Sequence, residues 1–220
     1  MEHQDLLSRY SEISTLNDDF HSSLGLAHGK MRAAIFFFHC ARSSGSDIYE
    51  DIAGQLLDEL FGQLSVGMPV CFADGLCGIG WGIEYLIQED FIEGDADEVL
   101  AEIDASVIRE IYAQALDGLG LDTGILGLGH YILMRVRPYW KIGDTDSSLE
   151  LKENLIYLID WLDRQLDEAG DEGTDELLEW LLLLRATGFY KTKVEKMIAK
   201  INKDAYEKCR TNNGDNRASD

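Results

Sequence analysis

The chain has 220 residues, 45% of them hydrophobic, with two prolines and a formal net charge of −22. This length and apolar content predict one domain with a substantial core, and the scarcity of proline favours long helices. The negative charge repels nucleic-acid phosphates and anionic lipid headgroups, so we expect neither nucleic acid nor a membrane as a partner. It either keeps the protein in solution or attracts a cationic partner such as a basic peptide.

The first ten residues are polar and lack the apolar core of a secretion signal. No apolar run approaches the roughly 20 residues that a membrane-spanning helix needs. We therefore expect a cytoplasmic protein whose cysteines stay reduced and form no disulfide, with Cys40 in the core. The cysteines are Cys40, Cys71, Cys77 and Cys209.

After a first helix predicted within residues 3–17, four glycine-led segments repeat along the chain. They begin at Gly29, Gly75, Gly124 and Gly173, which are 46, 49 and 49 residues apart. Each segment is apolar on nearly all sides, which predicts a helix buried on all sides. The second and third share the pattern Gly-x-x-Gly-x-Gly, whereas the other two have Arg32 and Glu176 in place of the second glycine.

Between these segments lie amphipathic stretches, at residues 47–64, 99–115, 149–166 and 191–208. The clearest has leucines spaced by three or four residues, the spacing of one face of a helix. These leucines are Leu151, Leu155, Leu158, Leu162 and Leu166. Asp47 with Glu50, and Asp95 with Glu98, resemble capping boxes that start such helices. Residues 65–72 predict a short extended connection, since a proline follows Met68.

The repeating unit is therefore a buried helix, a short loop and an amphipathic helix. One unit cannot bury its apolar helix alone, so neighbouring units must stack, with the apolar helices inside and the amphipathic helices outside. We expect an all-α domain over residues 3–210, made of about four helical hairpins and the first helix. Residues 211–220 are polar, and we expect a disordered tail.

Glycines inside the two central segments need a reason, because each costs roughly 1 kcal/mol relative to alanine in a helix. They are Gly78, Gly80, Gly82, Gly127 and Gly129. One reading is close approach between helices. The other is a helix N-terminus that faces a cavity and offers N–H groups to an anion or carbonyl. A dinucleotide site does not fit, because the glycine order is wrong and no strand precedes it.

The glycine-rich segments resemble the inner helices of lanthionine synthetase C-like (LanC-like) proteins. The resemblance covers roughly residues 20–190. It is carried by Leu26-Ala-His-Gly-Lys-Met-Arg-Ala-Ala-Ile-Phe-Phe-Phe-His-Cys-Ala-Arg42, Asp74-Gly-Leu-Cys-Gly-Ile-Gly-Trp-Gly-Ile-Glu-Tyr-Leu86 and Asp122-Thr-Gly-Ile-Leu-Gly-Leu-Gly-His-Tyr131. It implies a double-layered α/α toroid. Four hairpins are too few for the family's full ring, so we expect an arc.

Cyclases of this family add peptide cysteine thiols to dehydrated serine or threonine at a zinc ion. Two cysteines and a histidine hold that ion, in a Trp-Cys-x-Gly stretch and a later Cys-His-Gly stretch. Neither stretch occurs in this sequence: Cys77 follows Leu76, and His39-Cys40 has the reversed order. The resemblance therefore carries over no catalytic residue, and we expect neither a metal site nor a cofactor.

Polar and aromatic residues near the starts of the apolar helices could line the mouth of such an arc. They are His28, Arg32, Asp74, Trp81, Glu84, Asp122 and His130. Four of them have a structural alternative: Trp81 in the core, Glu84 satisfied by a neighbour, and Asp74 and Asp122 as helix caps rather than paired catalytic carboxylates. We interpret residues 89–104, with eight acidic and no basic residues, as a solvated loop and helix start rather than a calcium loop.

Three hypotheses follow for function. The first is a non-catalytic, LanC-like accessory protein that binds a basic peptide or a partner protein of a peptide-modification pathway on a concave acidic face. The second is a divergent enzyme of the toroid type, either a lanthionine cyclase or a carboxylate-based hydrolase. The third is a homo-oligomer, in which the basic helix near residues 191–208 docks on the acidic body of another copy.

Overall fold

Helices account for all the regular structure in the part of the chain that the computed structural model describes, residues 23–168 and 173–215. Side chains of residue 168 and residues 204–215 are not described. The predicted helix within residues 3–17 lies outside these ranges. The helices are α1 (Lys30–Ser44), α2 (Asp47–Gln63), α3 (Leu76–Gln88), α4 (Ala96–Val99), α5 (Ala101–Ala113), α6 (Ile125–Val136), α7 (Tyr139–Ile142), α8 (Asp146–Glu168), α9 (Thr174–Thr187) and α10 (Lys191–Asp215).

The all-helical prediction is confirmed for the described residues, where neither residues 65–72 nor any other segment forms a strand. Each amphipathic stretch is helical, although the second is divided by Leu100 into α4 and α5. Helix α10 continues to Asp215, so residues 211–215 of the predicted tail are helical, and residues 216–220 lie outside the described ranges. No helix of the described chain is both long enough and apolar enough to cross a bilayer.

The four glycine-led helices pack side by side in chain order. Helix α1 contacts α3, α3 contacts α6, and α6 contacts α9. The amphipathic helices pack on this row: α2 on α1, α5 on α3, α8 on α6, and α10 on α9. The leucines of α8 show why it packs this way, since Leu151, Leu155, Leu158 and Leu162 are all buried on the side that faces the core.

Three of the four apolar helices start with the same backbone geometry. The N-cap residues Gly29, Gly75 and Gly124 have φ/ψ of −119°/−166°, −119°/−166° and −100°/−167°. In each case the first helical N–H donates to the carbonyl seven residues earlier, at 2.9–3.1 Å. Gly173 is different, because its φ of 73° is left-handed. The first segment is therefore a full member of the repeat, and the fourth departs from it.

The loops before these helices are linked to one another. Ala27 N–H donates to the carbonyl of Ala73 at 2.7 Å, and Phe72 N–H donates to the carbonyl of Asp122 at 3.0 Å. At the third junction, Leu121 N–H donates to the side chain of Glu176 at 3.0 Å. These bonds fix the register between consecutive hairpins.

The glycines of α3 sit where other groups approach closely. A Cβ on Gly78 would lie 1.9 Å from the carbonyl oxygen of Phe72, and one on Gly82 would lie 2.4 Å from Met31. Both glycines are buried. Of the two readings of the glycines, the geometry favours close packing, because any side chain would force a neighbour to move.

The predicted helix caps are confirmed in one case out of four. Asp95 caps α4, accepting a hydrogen bond from Asp97 N–H at 3.0 Å. The prediction for Asp47 is wrong, since α2 is capped by Ser46 without a side-chain bond. It is also wrong for Asp74 and Asp122. Gly75 is the N-cap of α3 and Gly124 is the N-cap of α6, and neither helix start has a side-chain capping bond.

The basic face of α10 is paired with acids of its own chain. Lys193 Nζ lies 3.1 Å from Asp160 and 2.6 Å from Asp163, and Lys200 forms ion pairs with Asp163 and Asp167. These carboxylates belong to α8, so the contacts join the third and fourth hairpins. Two lysines of the helix that was predicted to dock on another copy, Lys193 and Lys200, are thus engaged within the chain.

Candidate functional site

Two of the predicted mouth residues contact each other across neighbouring loops. His28 Nδ1 lies 3.5 Å from Asp74 Oδ2, and Asp74 Oδ1 accepts bonds from His28 N–H at 3.3 Å and Ser23 Oγ at 3.1 Å. The side chains of His28 and Asp74 are 58% and 43% exposed. Such an exposed pair contributes little to stability, but it holds the two loops together.

Trp81 and His130 lie in one aromatic cluster, joined by Phe72. The ring of Phe72 is centred 6.1 Å from Trp81 and 5.7 Å from His130, and Trp81 stacks on Tyr85 at 5.5 Å. Burial lowers the pKa of His130, although the nearby Glu176 opposes the shift. The imidazole is therefore neutral near pH 7, and the cluster is a largely apolar, half-buried surface.

The remaining predicted residues lie apart from this cluster. Arg32 is exposed and donates to the carbonyl of Ala27 at 2.8 Å. Asp122 is exposed, and its backbone carbonyl links two loops. Glu84 is 2% exposed and pairs with Arg135, which matches its structural alternative of an acid satisfied by a neighbour.

Arg135 is the centre of a buried ionic network that we call the Arg135 cluster, formed by Glu84, Asp97, Asp104 and Arg135. Its guanidinium is 1% exposed. Nη1 lies 2.8 Å from Glu84 Oε2, and Nη2 lies 2.8 Å from both Asp97 Oδ1 and Asp104 Oδ2. Nε also donates to Asp104, at 3.1 Å. All three nitrogens of the side chain thus donate to carboxylates.

Four helices bring these groups together. Arg135 is near the end of the apolar helix α6, Glu84 is on α3, and Asp97 and Asp104 come from α4 and α5. Each carboxylate also accepts a bond from a neutral donor, so its remaining lone pairs are partly satisfied. These donors are Gln88 to Glu84 at 2.7 Å, Tyr139 to Asp97 at 2.7 Å and Tyr131 to Asp104 at 2.6 Å.

The cluster contains one cation and three carboxyl groups, and their environments differ. Burial raises the pKa of Glu84, even though Gln88 and Arg135 oppose the shift. Burial also acts on Asp97, but the hydrogen bonds from Tyr139 and Arg135 outweigh it and lower the pKa of Asp97. Burial would lower the pKa of Arg135, but the hydrogen bonds and the charge of Asp104 outweigh burial and raise the pKa of Arg135, so the guanidinium remains charged. The carboxyl groups thus outnumber the single cation, and the lowered pKa of Asp97 favours its charged form.

A pocket of about 270 Å³ opens beside the cluster, between α5 and α8. We call it the Arg135 pocket. It is lined by Asp97, Ala101, Asp104, Ala105, Ile108, Arg135, Ser147, Glu150 and Leu151. The residues from α5 recur every three or four positions and so form one stripe, and those from α8 do the same. The pocket thus has apolar patches between acidic groups.

The cysteines of the described chain are free thiols, at Cys40, Cys71 and Cys77. Cys40 is half-buried, and burial raises the pKa of its thiol. Cys77 is fully buried, and this burial, followed by Cys71 and Glu110, raises the pKa of its thiol strongly. Within the part of the chain that the structure describes, no group of three histidine, cysteine or acidic side chains could hold a metal ion.

Arg135 was not among the predicted site residues, and Asp97 and Asp104 were predicted to lie in a solvated segment. One signal was available: Arg135 is the single charge in the apolar run of α6 that begins at Ile125. A charge in such a helix must be paired when it is buried. The acid-rich stretch at residues 89–104 supplies two of its three partners, Asp97 and Asp104.

Comparisons with known proteins found no match to this chain among protein-family models, curated proteins or solved structures.

Proposed function

We propose that this protein is a non-catalytic binding protein that takes a basic peptide, or a basic segment of a partner protein, in the Arg135 pocket. The observation that carries the proposal is the excess of carboxylates over the single guanidinium in a pocket with apolar patches. Lysine and arginine have apolar stems and charged tips. The stem would contact Ile108 and Leu151, and the tip would lie near Asp97 and Glu150.

The same geometry argues against an anionic ligand. Arg135 is the one cation that lines the pocket, and all three of its nitrogens already donate to carboxylates. An anion in the pocket would lie near the carboxylates of Asp97, Asp104 and Glu150 and would find no cation free to pair with it. Charge complementarity therefore selects a cation, and it also steers one towards the strongly acidic chain.

Binding is better supported than hydrolysis by paired carboxylates. Such a hydrolase needs a general acid with a raised pKa that reaches the substrate. Glu84 has the raised pKa, but it is 2% exposed and does not line the pocket. Asp97 and Asp104 line the pocket, yet both are held as charge partners of Arg135.

We further propose that the row of helices is an arc of the LanC-like α/α toroid and that the protein acts as an accessory factor in a peptide-modification pathway. The equivalent helix starts at Gly29, Gly75 and Gly124 support this relationship, as does the pairing of apolar with amphipathic helices. Both features are expected of a toroid built by repeating one hairpin.

Titration of fluorescently labelled peptides, followed by anisotropy at low and high salt, tests the binding proposal. A peptide with one arginine should bind more tightly than its glutamate counterpart, and salt should weaken binding because the Debye length shrinks. Glu150→Lys should raise the Kd about 3- to 10-fold, since an exposed ion pair contributes about 0.2–1 kcal/mol and reversal replaces attraction with repulsion.

Glu179→Lys is the matched control, because Glu179 is an exposed acid on α9 and its replacement changes the net charge equally. The control should change the Kd much less than Glu150→Lys. Equal effects of the two variants, or no binding of any basic peptide at low salt, would contradict a site at the Arg135 pocket.

A further inference from the structure

The two stripes that line the Arg135 pocket continue beyond it along α5 and α8. On α5, Asp104 and Ile108 are followed at the same spacing by Tyr112, and on α8, Glu150 is followed one repeat later by Tyr157. The two tyrosine rings meet across the gap between the helices, with centroids 5.3 Å apart and planes tilted by 54°. We call these residues the tyrosine pair.

The tyrosine pair is exposed and lies in acidic surroundings. Tyr112 is 58% exposed and Tyr157 is 46% exposed. Desolvation, followed by the proximity of Tyr157, Glu153 and Glu150, raises the pKa of Tyr112. Two aromatic faces beside carboxylates are a suitable environment for a cation, which is attracted both to the ring quadrupole and to the negative charge.

We propose that the tyrosine pair is a second subsite, which binds a second cationic side chain of the same segment that occupies the Arg135 pocket. The inference rests on the proposed function, because it requires a basic ligand in that pocket. It identifies the ligand class as a segment with two cationic side chains. The first is held by Asp97 and Glu150, and the second by the rings and Glu153.

The helices set the distance between the two subsites. Glu150 of the first subsite and Tyr157 of the second are seven residues apart on α8, which is about 10 Å at the rise of an α-helix. An extended peptide advances roughly 3.3 Å per residue and places every second side chain on the same side. The two cationic residues of an extended ligand are therefore expected about four positions apart.

A set of arginine peptides tests this inference. One peptide has a single arginine, and the others have two arginines separated by one to about seven positions, with all other residues unchanged. We expect the two-arginine peptide of matching spacing to bind about 3- to 30-fold more tightly than the single-arginine peptide. Tighter binding that is independent of spacing would overturn the two-point geometry.

Variants of the tyrosine pair separate ring chemistry from packing. Y112L together with Y157L removes the rings and should reduce the affinity for the two-arginine peptide to that for the single-arginine peptide. Y112F together with Y157F keeps the rings and should retain most of the gain. Both residues are exposed, so both double variants are expected to fold, and circular dichroism checks this.

The outcomes distinguish the two proposals. If the single-arginine peptide binds and Glu150→Lys weakens it, but the leucine variant leaves the two-arginine peptide unaffected, the second subsite is wrong and the pocket stands. If neither peptide binds the unmodified protein, both proposals are overturned. Loss of single-arginine binding in the folded leucine variant would also contradict two separate subsites.

Discussion

Replacing Arg135 with methionine tests how much the buried ionic network contributes to stability. The substitution keeps an unbranched apolar stem but leaves Glu84, 2% exposed, and Asp104, 15% exposed, without their cation. Removing one partner of a buried ion pair costs about 3–5 kcal/mol, because the remaining charge is desolvated and unpaired. For a domain with a total stability of about 5–15 kcal/mol, this is a large fraction.

Urea unfolding followed by circular dichroism measures this loss, and thermal unfolding should show a Tm lower by about 6–20 °C. Arg137→Met is the control, since Arg137 is exposed two residues further along the chain and its replacement should change stability by about 0.5 kcal/mol or less. Adding Glu84→Gln to Arg135→Met should restore part of the loss, because it removes one orphaned charge. An unfolding free energy for Arg135→Met within about 1 kcal/mol of the Arg137→Met value would refute the reasoning.

Two further predictions concern α3 and its neighbours. Gly78→Ala should destabilise the protein by about 1–3 kcal/mol, because the added methyl group would lie 1.9 Å from the Phe72 carbonyl oxygen. Gly54→Ala is the control: its methyl group meets nothing within 4 Å, so it should stabilise α2 by about 0.5–1 kcal/mol. Thermal unfolding that shifts the Tm of both variants in the same direction would contradict the close approach. Burial raises the pKa of Glu84, so its contribution is fully present below the ordinary glutamate pKa and is lost as the pH rises through the raised value. Glu84→Gln should therefore flatten the fall in stability as the pH rises above the ordinary glutamate pKa of about 4.3, and curves for the two proteins that run parallel would argue against it.

Much of the helical layout could be predicted from the sequence, because each signal was local. The leucine spacing of residues 149–166 lies within α8, and the glycine-led segments correspond to helices that pack in chain order. Capping was predicted less well. Asp74 and Asp122 precede glycines that take the cap conformation themselves, so the carboxylates are free to serve other contacts.

The candidate site could not be predicted, because it depends on four helices meeting at one guanidinium. Asp97 and Asp104 look like solvated acids in a stretch with eight of them, and no local pattern singles out the two that turn inward. Glu84 was identified as a candidate, but its helical spacing from Trp81 suggested a shared surface. In the structure Trp81 packs against Phe72 and Tyr85, whereas Glu84 pairs with Arg135 of α6, a contact that only tertiary packing determines.

The contact between Leu121 and Glu176 gives the last joint of the row a different chemistry from the others. At the first two joints a peptide carbonyl accepts a main-chain bond whose strength is independent of acidity, and at the first joint the Asp74 carboxylate adds bonds from His28 and Ser23. A carboxylate becomes a weaker acceptor once it is protonated. The link of the fourth hairpin therefore depends on a side chain, and replacing Glu176 would remove it while the main-chain links among the first three hairpins persist.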